Sequence, residues 1–300
     1  MQRIAIIGAG LMGHGIAQVF ATHGHEVLVY DALPSALEVL RERIRQSLAD
    51  LGQDVTAADR VQPCAELDTC VRNADVVFEA ASENLELKQR LFVDIEEAAP
   101  AHALLASNTS VIPITRIMSK LRAKGRALGT HWWNPPFLIP LVEVIRTEDT
   151  SATSIDAMMA LLQSVGKTPV VVNKDVPGFV GNRLQHALWR EAIALVQNGV
   201  CDAETVDTVV KASFGRRLAV LGPLENADLV GTDLTLAIHE NVLPDLDRTA
   251  EPLPYLRALV ANGKLGMKSG SGFRTWTSEE QTALRRRVLD HLTMLNDHGR

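Results

Sequence analysis

The first half of the chain alternates short, almost uninterrupted apolar runs with longer segments of helical period. Runs of this kind are typical of strands that are buried on both faces of a sheet. Seven strands are predicted, at Arg3–Ile7, Glu26–Tyr30, Asp75–Glu79, Ala103–Ala106, Ala127–Thr130, Leu141–Ile145 and Thr168–Val172. Helices are predicted between them, including Pro34–Leu51 and Leu85–Ala98. This alternation favours an α/β fold with a Rossmann-type, parallel, doubly wound sheet.

The pattern changes near residue 177. Residues 178–300 have few β-branched runs and contain long stretches of helical period, at Phe179–Gln197, Ala203–Lys211 and Ser278–Leu295. Pro177-Gly178 is a dipeptide that breaks both helices and strands, and it marks the join. We therefore predict two domains, a nucleotide-binding domain at 1–177 and an all-helical domain at 178–300.

Composition narrows the class of protein. The 300 residues are 46% hydrophobic and carry a formal net charge of −6 without a long run of one sign, so the basic surface of a nucleic-acid-binding protein is absent. No apolar stretch has the length that crosses a bilayer, and the N-terminus lacks the pattern of a secretory signal. Three scattered cysteines argue against a disulfide framework and favour a reducing cytoplasm. We expect a cytoplasmic protein with no membrane or nucleic-acid partner and no metal site.

The first strand leads into a glycine-rich turn, Gly8-Ala9-Gly10-Leu11-Met12-Gly13, and a helix follows. In this position GxGxxG is the signature of a dinucleotide site, because the first two glycines allow a tight turn close to a pyrophosphate and the third allows close helix packing. The second strand ends at Asp31, about 20 residues further on, where an acid binds a ribose 2′-hydroxyl. Its charge would repel a 2′-phosphate, which favours NAD over NADP. The alternative is a structural turn followed by a surface aspartate.

Two residues suggest acid–base chemistry. His131 follows a predicted strand, and residues just beyond the carboxyl ends of strands line the ligand crevice of such sheets. Imidazole titrates near neutral pH and accepts the proton of an alcohol as the hydride leaves. Glu143 lies inside an apolar strand, where a carboxylate needs a partner, and His131 is a candidate. The alternatives are a structural histidine and a solvated edge glutamate.

Taken together, the ordered motifs resemble the short-chain L-3-hydroxyacyl-CoA dehydrogenase family over nearly the whole chain. The matching segments include Gly8–Gly13, Glu83-Asn84 with Lys88, Ser107–Ser110, His131 to Pro135, Leu141–Ile145, Asp175–Phe179 with Asn182-Arg183, Gly222–Leu224 and Lys264–Phe273. The resemblance implies an NAD-dependent dehydrogenase that oxidises a secondary alcohol to a ketone, and a homodimer formed through the helical domain.

The resemblance also implies roles for individual residues. His131 would be the base and Glu143 its orienting acid, while Ser110 and Asn182 would bind the reacting oxygen. Asn134, Glu83, Lys88 and Ser110 would lie near the nicotinamide end of the cofactor. Each also has a structural explanation, since serine caps helices, asparagine before proline occurs in turns, and a lysine pairs with acids on a helix surface.

Two departures from the family pattern leave the substrate open. The segment from Asp31 to Asp75 contains no lysine and many acids, whereas members that use CoA carry a lysine-rich surface there. The Asn134-Pro135-Pro136 run and Ile139-Pro140 before Leu141 resemble a subgroup that acts on small hydroxy acids without CoA, and the bulky Trp132-Trp133 pair would narrow the pocket. That subgroup includes L-gulonate dehydrogenase (lambda-crystallin), carnitine dehydrogenase and pyridine-carboxylate dehydrogenases. A 3-hydroxyacyl-CoA and a small free hydroxy acid therefore both remain candidate substrates.

Two other classes of protein are alternatives. The 6-phosphogluconate-like β-hydroxyacid dehydrogenases also begin with a glycine-rich turn, but they use a catalytic lysine in the second domain. A non-catalytic NADH-binding protein is the other alternative, because a fold does not determine a function. The joint presence of Ser110, His131, Glu143 and Asn182 favours an enzyme over both.

Overall fold

A computed structural model of the protein describes residues 1–298, and side chains for residues 1–296. The chain divides into two compact units. The first comprises Met1–Arg183 together with the described residues from His291 onwards, and the second comprises Leu184–Asp290.

The first unit is built on an eight-stranded sheet. Its strands in chain order are β1 (Arg3–Ile7), β2 (Glu26–Tyr30), β3 (Val61–Cys64), β4 (Val76–Glu79), β5 (Leu104–Ser107), β6 (Ala127–Trp132), β7 (Leu141–Ile145) and β8 (Thr168–Val172). Their spatial order is β3-β2-β1-β4-β5-β6-β7-β8. The order reverses between β1 and β4, and in folds of this kind the ligand binds at that reversal, beyond the carboxyl ends of the strands.

Helices cover the sheet on both faces. In the first unit they are α1 (Leu11–Thr22), α2 (Pro34–Glu38), α3 (Leu40–Asp50), α4 (Leu67–Val71), α5 (Leu85–Ala98), α6 (Ile114–Ile117) and α7 (Ala152–Ser164), with 3₁₀ turns at Val55–Arg60, Met118–Lys120 and Lys124–Arg126. One core layer contains the packed rings of Phe20, Phe78 and Trp132. The opposite layer contains Phe92 and Phe179.

The second unit is helical. Its helices are α8 (Gly181–Gln197), whose first turn belongs to the first unit, α9 (Ala203–Ala212), α10 (Pro223–Val230), α11 (Thr232–Val242), α12 (Pro254–Ala261) and α13 (Ser278–His298), which returns to the first unit, with a 3₁₀ turn at Phe214–Arg216. Within residues 1–298, no helix is both long enough and apolar enough to cross a membrane.

The predicted fold class is confirmed, and three details differ. The eight residues between β6 and β7 are too few for a parallel crossover, so β7 runs antiparallel to β6. The strand β3 was not predicted because Gln62 and Pro63 interrupt its apolar pattern, which an edge strand tolerates. The single helix predicted at Pro34–Leu51 is two helices that meet at Val39.

Candidate active site

The glycine-rich turn lies between β1 and α1, and close backbone contacts require two of its three glycines. Gly8 has φ +110°, and a Cβ there would lie 2.6 Å from the carbonyl oxygen of Ala80. A Cβ on Gly13 would lie 1.7 Å from the carbonyl oxygen of Gly8. At Gly10 a Cβ would meet nothing within 4 Å, so the turn is open on that side.

This turn has the properties of an anion site. Gly10 is the N-cap of α1 and supplies no side-chain hydrogen bond, so the N–H groups of the first turn are left for a ligand. Leu11 is exposed, and Met12 packs partly against the core. Asp31, at the end of β2, accepts a hydrogen bond from the Ala9 N–H at 2.7 Å and another from the Leu33 N–H at 2.8 Å. The carboxylate is thereby fixed beside the turn, and these residues fit the phosphate and ribose of a dinucleotide.

The pairing of β6 with β7 brings His131 and Glu143 together. The two residues are directly opposite in the antiparallel register, and opposed side chains in such a pair lie on one face within contact distance. His131 Nδ1 is 2.7 Å from Glu143 Oε2, and both side chains are almost completely buried. A carboxylate only accepts, so Nδ1 carries the proton and Nε2 is left as the proton-accepting nitrogen.

The remaining oxygen of Glu143 is also held. Glu143 Oε1 accepts hydrogen bonds from the backbone N–H groups of Val180 at 2.8 Å and Gly181 at 3.0 Å, where α8 begins. Burial alone would raise the pKa of Glu143, but the hydrogen bonds from His131, Gly181 and Val180 outweigh it and lower the pKa below its ordinary value. Glu143 is therefore a carboxylate at neutral pH, fixed at both oxygens.

Two aromatic rings lie against the imidazole. The ring centroids of Trp133 and Phe179 are 5.2 and 5.5 Å from that of His131. A Cβ on Gly181 would lie 2.4 Å from the Trp133 ring, so only glycine fits there. The rings leave His131 little rotational freedom, which favours a fixed direction for Nε2.

The glycine-rich helix and the histidine strand approach each other. A Cβ on Gly15, in α1, would lie 2.8 Å from the side chain of Pro136, in the loop that follows β6. The same loop carries Asn134, which is exposed. The predicted cofactor turn and the predicted base are thus on neighbouring segments at the carboxyl edge of the sheet.

The structure also links Ser110 and Asn182. Ser110 is exposed after β5, and Asn182 lies in the first turn of α8. Asn182 Nδ2 donates to the carbonyl oxygen of Ser110 at 2.9 Å. Asn182 directly follows the segment that binds Glu143, so all four predicted catalytic residues are connected through one short stretch of chain.

Glu83 and Lys88 belong to an ion cluster that was only partly predicted and that is buried at Lys88 and Glu79 but exposed at Glu83. Lys88 is fully buried, and its Nζ lies 2.7 Å from Glu79 Oε1 and 3.6 Å from Glu83 Oε2. Ser107 donates to the other oxygen of Glu79 at 2.6 Å, and Thr109 donates to Glu83. Sequence reasoning missed Glu79, although it is an acid inside an apolar strand, the same signal that identified Glu143.

Comparison with known proteins places the chain in a family. Residues 3–176 match the model of the 3-hydroxyacyl-CoA dehydrogenase NAD-binding domain, and residues 178–276 match that of the 3-hydroxyacyl-CoA dehydrogenase C-terminal domain. The chain belongs to the 3-hydroxyacyl-CoA dehydrogenase family. It is accordingly an NAD-dependent oxidoreductase that acts on CH–OH groups, as predicted.

Three relatives illustrate the range of this family. A probable 3-hydroxybutyryl-CoA dehydrogenase from Bacillus subtilis is 38% identical over 94% of this chain and 99% of the relative. The crystal structure of 5-formyl-3-hydroxy-2-methylpyridine 4-carboxylic acid 5-dehydrogenase, described as an NAD⁺-dependent dismutase, is 35% identical, with a TM-score of 0.91 over 99% of this chain and 97% of the other. The (S)-3-hydroxybutyryl-CoA dehydrogenase from Ralstonia eutropha is 34% identical, with a TM-score of 0.77 over 93% and 100%.

Proposed function

We propose that the enzyme oxidises the hydroxyl group of a small carboxylated alcohol, with His131 as the base. NAD, when bound, supplies the hydride acceptor. As the hydride leaves the alcohol carbon, the hydroxyl proton passes to His131 Nε2, and the adjacent Glu143 carboxylate stabilises the imidazolium that results. The observation that carries this proposal is the buried 2.7 Å contact between His131 and Glu143.

The other predicted residues have supporting roles in the same proposal. Ser110 and Asn182, joined by a hydrogen bond, would bind the reacting oxygen. Gly8, Gly10, Leu11, Met12, Gly13 and Asp31 would bind the pyrophosphate and adenosine ribose. Asn134, Ser110 and Glu83 would lie at the nicotinamide end, with Lys88 acting there through Glu83, since its own ammonium is fully buried.

His131→Ala tests the reaction. We expect kcat to fall by about 10²- to 10⁴-fold, the contribution of a positioned acid–base group, while the Kd for NADH stays within about twofold. His102→Ala is the matched control, because His102 is exposed and precedes β5 at the opposite edge of the sheet. Turnover of His131→Ala within a few-fold of the wild type would exclude His131 as the base.

The choice of a small acid over a CoA thioester is supported by two observations. The segment from Asp31 to Asp75 lacks the lysines that would meet CoA phosphates. The whole chain also superposes better on the pyridine-carboxylate dehydrogenase, at a TM-score of 0.91, than on the 3-hydroxybutyryl-CoA dehydrogenase, at 0.77. A 3-hydroxyacyl-CoA is the second candidate, favoured by the 38% identity to the Bacillus subtilis relative.

A matched substrate pair separates these candidates. We expect kcat/KM for a panel of free 3-hydroxy acids and aromatic hydroxy acids to exceed that for the corresponding CoA thioesters by at least about tenfold, or about 1.4 kcal/mol in transition-state binding. A higher kcat/KM for the CoA thioester than for the corresponding free acid would identify a 3-hydroxyacyl-CoA as the substrate and would leave the proposed role of His131 unchanged.

For the assembly, we propose a homodimer formed through the helical domain, with the domain boundary near residue 177. Val220, Leu224 and Leu229 in this region are 86%, 80% and 72% exposed, and large apolar side chains that lie together on a surface mark an association site. Light scattering should give twice the 32.7 kDa chain mass, and Leu224→Glu combined with Leu229→Glu should give monomers. A monomeric wild-type enzyme would refute the proposal.

The free cysteines Cys64, Cys70 and Cys201 support a cytoplasmic location.

A further inference from the structure

A partly buried arginine contacts the glycine-rich turn. Arg43, in α3, directs Nη1 towards the carbonyl oxygen of Ala9 at 3.4 Å and Nη2 towards Nδ1 of His14 at 3.3 Å. Ala9 is the residue whose N–H binds Asp31. The arginine and the aspartate therefore meet the same residue of the turn, although they come from different elements.

The contact with His14 does not give Arg43 a hydrogen-bond acceptor. Nδ1 of His14 is 2.9 Å from the carbonyl oxygen of Gly10, and a carbonyl only accepts. Nδ1 must therefore carry the proton, and it offers no lone pair to Arg43. Burial lowers the pKa of His14, and the positive charge of Arg43 lowers it further, so His14 is neutral at pH 7 and brings no charge to the turn.

Arg43 also lacks a counter-ion. Among residues 1–296, whose side chains the structure describes, no carboxylate lies within 4 Å of its guanidinium. Arg45, on another face of the same helix, is by contrast 2.7 Å from Asp59. A guanidinium has five N–H donors and suits phosphate oxygens in particular. Arg43 is thus a partly buried cation with only a long hydrogen bond to Ala9 and a contact with the protonated nitrogen of His14. Such a cation is suited to an anion supplied from outside the chain.

We propose that Arg43 binds the pyrophosphate of NAD. The turn that Arg43 contacts is the one whose helix N–H groups are left for an anion, and Gly10 is open on its ligand side. The pyrophosphate supplies the missing counter-ion and forms charge-assisted hydrogen bonds with the free N–H groups of the guanidinium. Arg43 thus adds a side-chain contact to a site that the glycine-rich motif builds from backbone alone.

Arg43→Met, which removes the charge and keeps the apolar stem, tests this inference in the full-length, substrate-free protein. We expect the Kd values of NADH, NADPH and ADP-ribose, measured by calorimetry, each to rise about tenfold, equivalent to about 1.4 kcal/mol. The Kd of adenosine, measured by competition, should not change, because adenosine has no phosphate. Arg45→Met is the matched control and should leave all four values within twofold of the wild type.

Three results would overturn the inference. An NADH Kd within twofold of the wild type would show that the counter-ion is not a phosphate of the cofactor. Weaker binding of NADPH alone would assign Arg43 to a 2′-phosphate, and equal weakening of adenosine would make its role structural.

A measurement on the wild-type protein covers the case in which Arg43→Met does not fold. Phenylglyoxal modifies accessible guanidinium groups, and mass spectrometry locates the modified residue. We expect saturating ADP-ribose, but not adenosine, to slow modification of Arg43 at least fivefold while Arg45 reacts at an unchanged rate. An unchanged rate at Arg43 would reject the proposed contact.

Discussion

Replacing Glu143 by glutamine keeps the size of the side chain but reverses its hydrogen bonding to His131. The amide oxygen of glutamine still accepts from the N–H groups of Val180 and Gly181, which turns its NH₂ group towards Nδ1 of His131. A donor at that position requires an unprotonated Nδ1, so the proton moves to Nε2. The nitrogen that should accept the alcohol proton is then already occupied.

The size of the effect follows from the distance. Two unit charges 2.7 Å apart attract by about 6 kcal/mol at an effective dielectric constant of about 20. This is an upper limit for the stabilisation of the imidazolium, and it corresponds to about 10⁴ in rate, since each 1.36 kcal/mol is tenfold. The same exchange in a serine-protease triad costs about 10⁴. We therefore expect kcat of Glu143→Gln to fall by about 10³- to 10⁴-fold.

The assay follows NADH formation at saturating NAD and substrate, with NADH binding measured separately by fluorescence. Glu148→Gln is the control, because it makes the same chemical change at an exposed position soon after β7. We expect the NADH Kd of both variants to match the wild type. A kcat for Glu143→Gln within tenfold of the wild type would refute the reasoning, since it would mean that neither the tautomer nor the charge of Glu143 matters to the reaction.

Four further predictions test other parts of the structure. We expect Gly13→Ala to lower the free energy of unfolding in urea by at least about 3 kcal/mol and to weaken NADH binding, because its Cβ would overlap the carbonyl oxygen of Gly8. An unchanged free energy of unfolding would contradict this. Asp31→Asn should raise the NADH Kd about tenfold and leave kcat at saturating NAD within threefold, and an unchanged Kd would remove Asp31 from the ribose site. We expect Lys88→Met to lower the free energy of unfolding in urea by about 3–5 kcal/mol, because it leaves the buried Glu79 carboxylate without its cation. Adding Glu79→Gln should restore most of this free energy. If the losses of the two substitutions simply add, the Lys88–Glu79 pairing is ruled out. The stability advantage of the wild type over Glu143→Gln should be full above pH 4.5 and shrink as the pH falls through the lowered pKa of Glu143; a difference independent of pH would show that the pKa is not lowered.

Much of the site was predictable because its residues stand out against an apolar background. Asp31 and His131 each directly follow a predicted strand, where the fold rule places the ligand crevice. Glu143 is a carboxylate inside a predicted apolar strand, where it needs a partner. The pairing of His131 with Glu143 also depends on the direction of strand β7. Only the antiparallel register between β6 and β7 brings the two residues directly opposite each other, and the sequence pattern alone does not give strand direction.

The features that were not predicted depend on tertiary contacts between segments distant in sequence. Arg43 is one of several arginines in a helix rich in charge, and nothing in the spacing distinguishes it from Arg45. Only the packing of α3 beside α1 directs one towards the turn and leaves the other with Asp59. Lys88 similarly resembles a surface residue in the helical pattern of α5, yet its ammonium is completely buried.

The two buried carboxylates of the sheet, Glu79 and Glu143, are held by the same kinds of hydrogen-bond partner, and this keeps the site ordered. Glu79 and Glu143 each lie in a strand, and each binds a cation or potential cation through one oxygen while backbone N–H groups or a hydroxyl hold the carboxylate. Burying a charge is costly unless every lone pair has a partner, so a small displacement of either carboxylate would lose several hydrogen bonds at once. This steep penalty holds both carboxylates in place on their strands. We expect differences in substrate between members of the family to arise mainly outside these strands, as in the loop after β6, where Trp133 lies against His131.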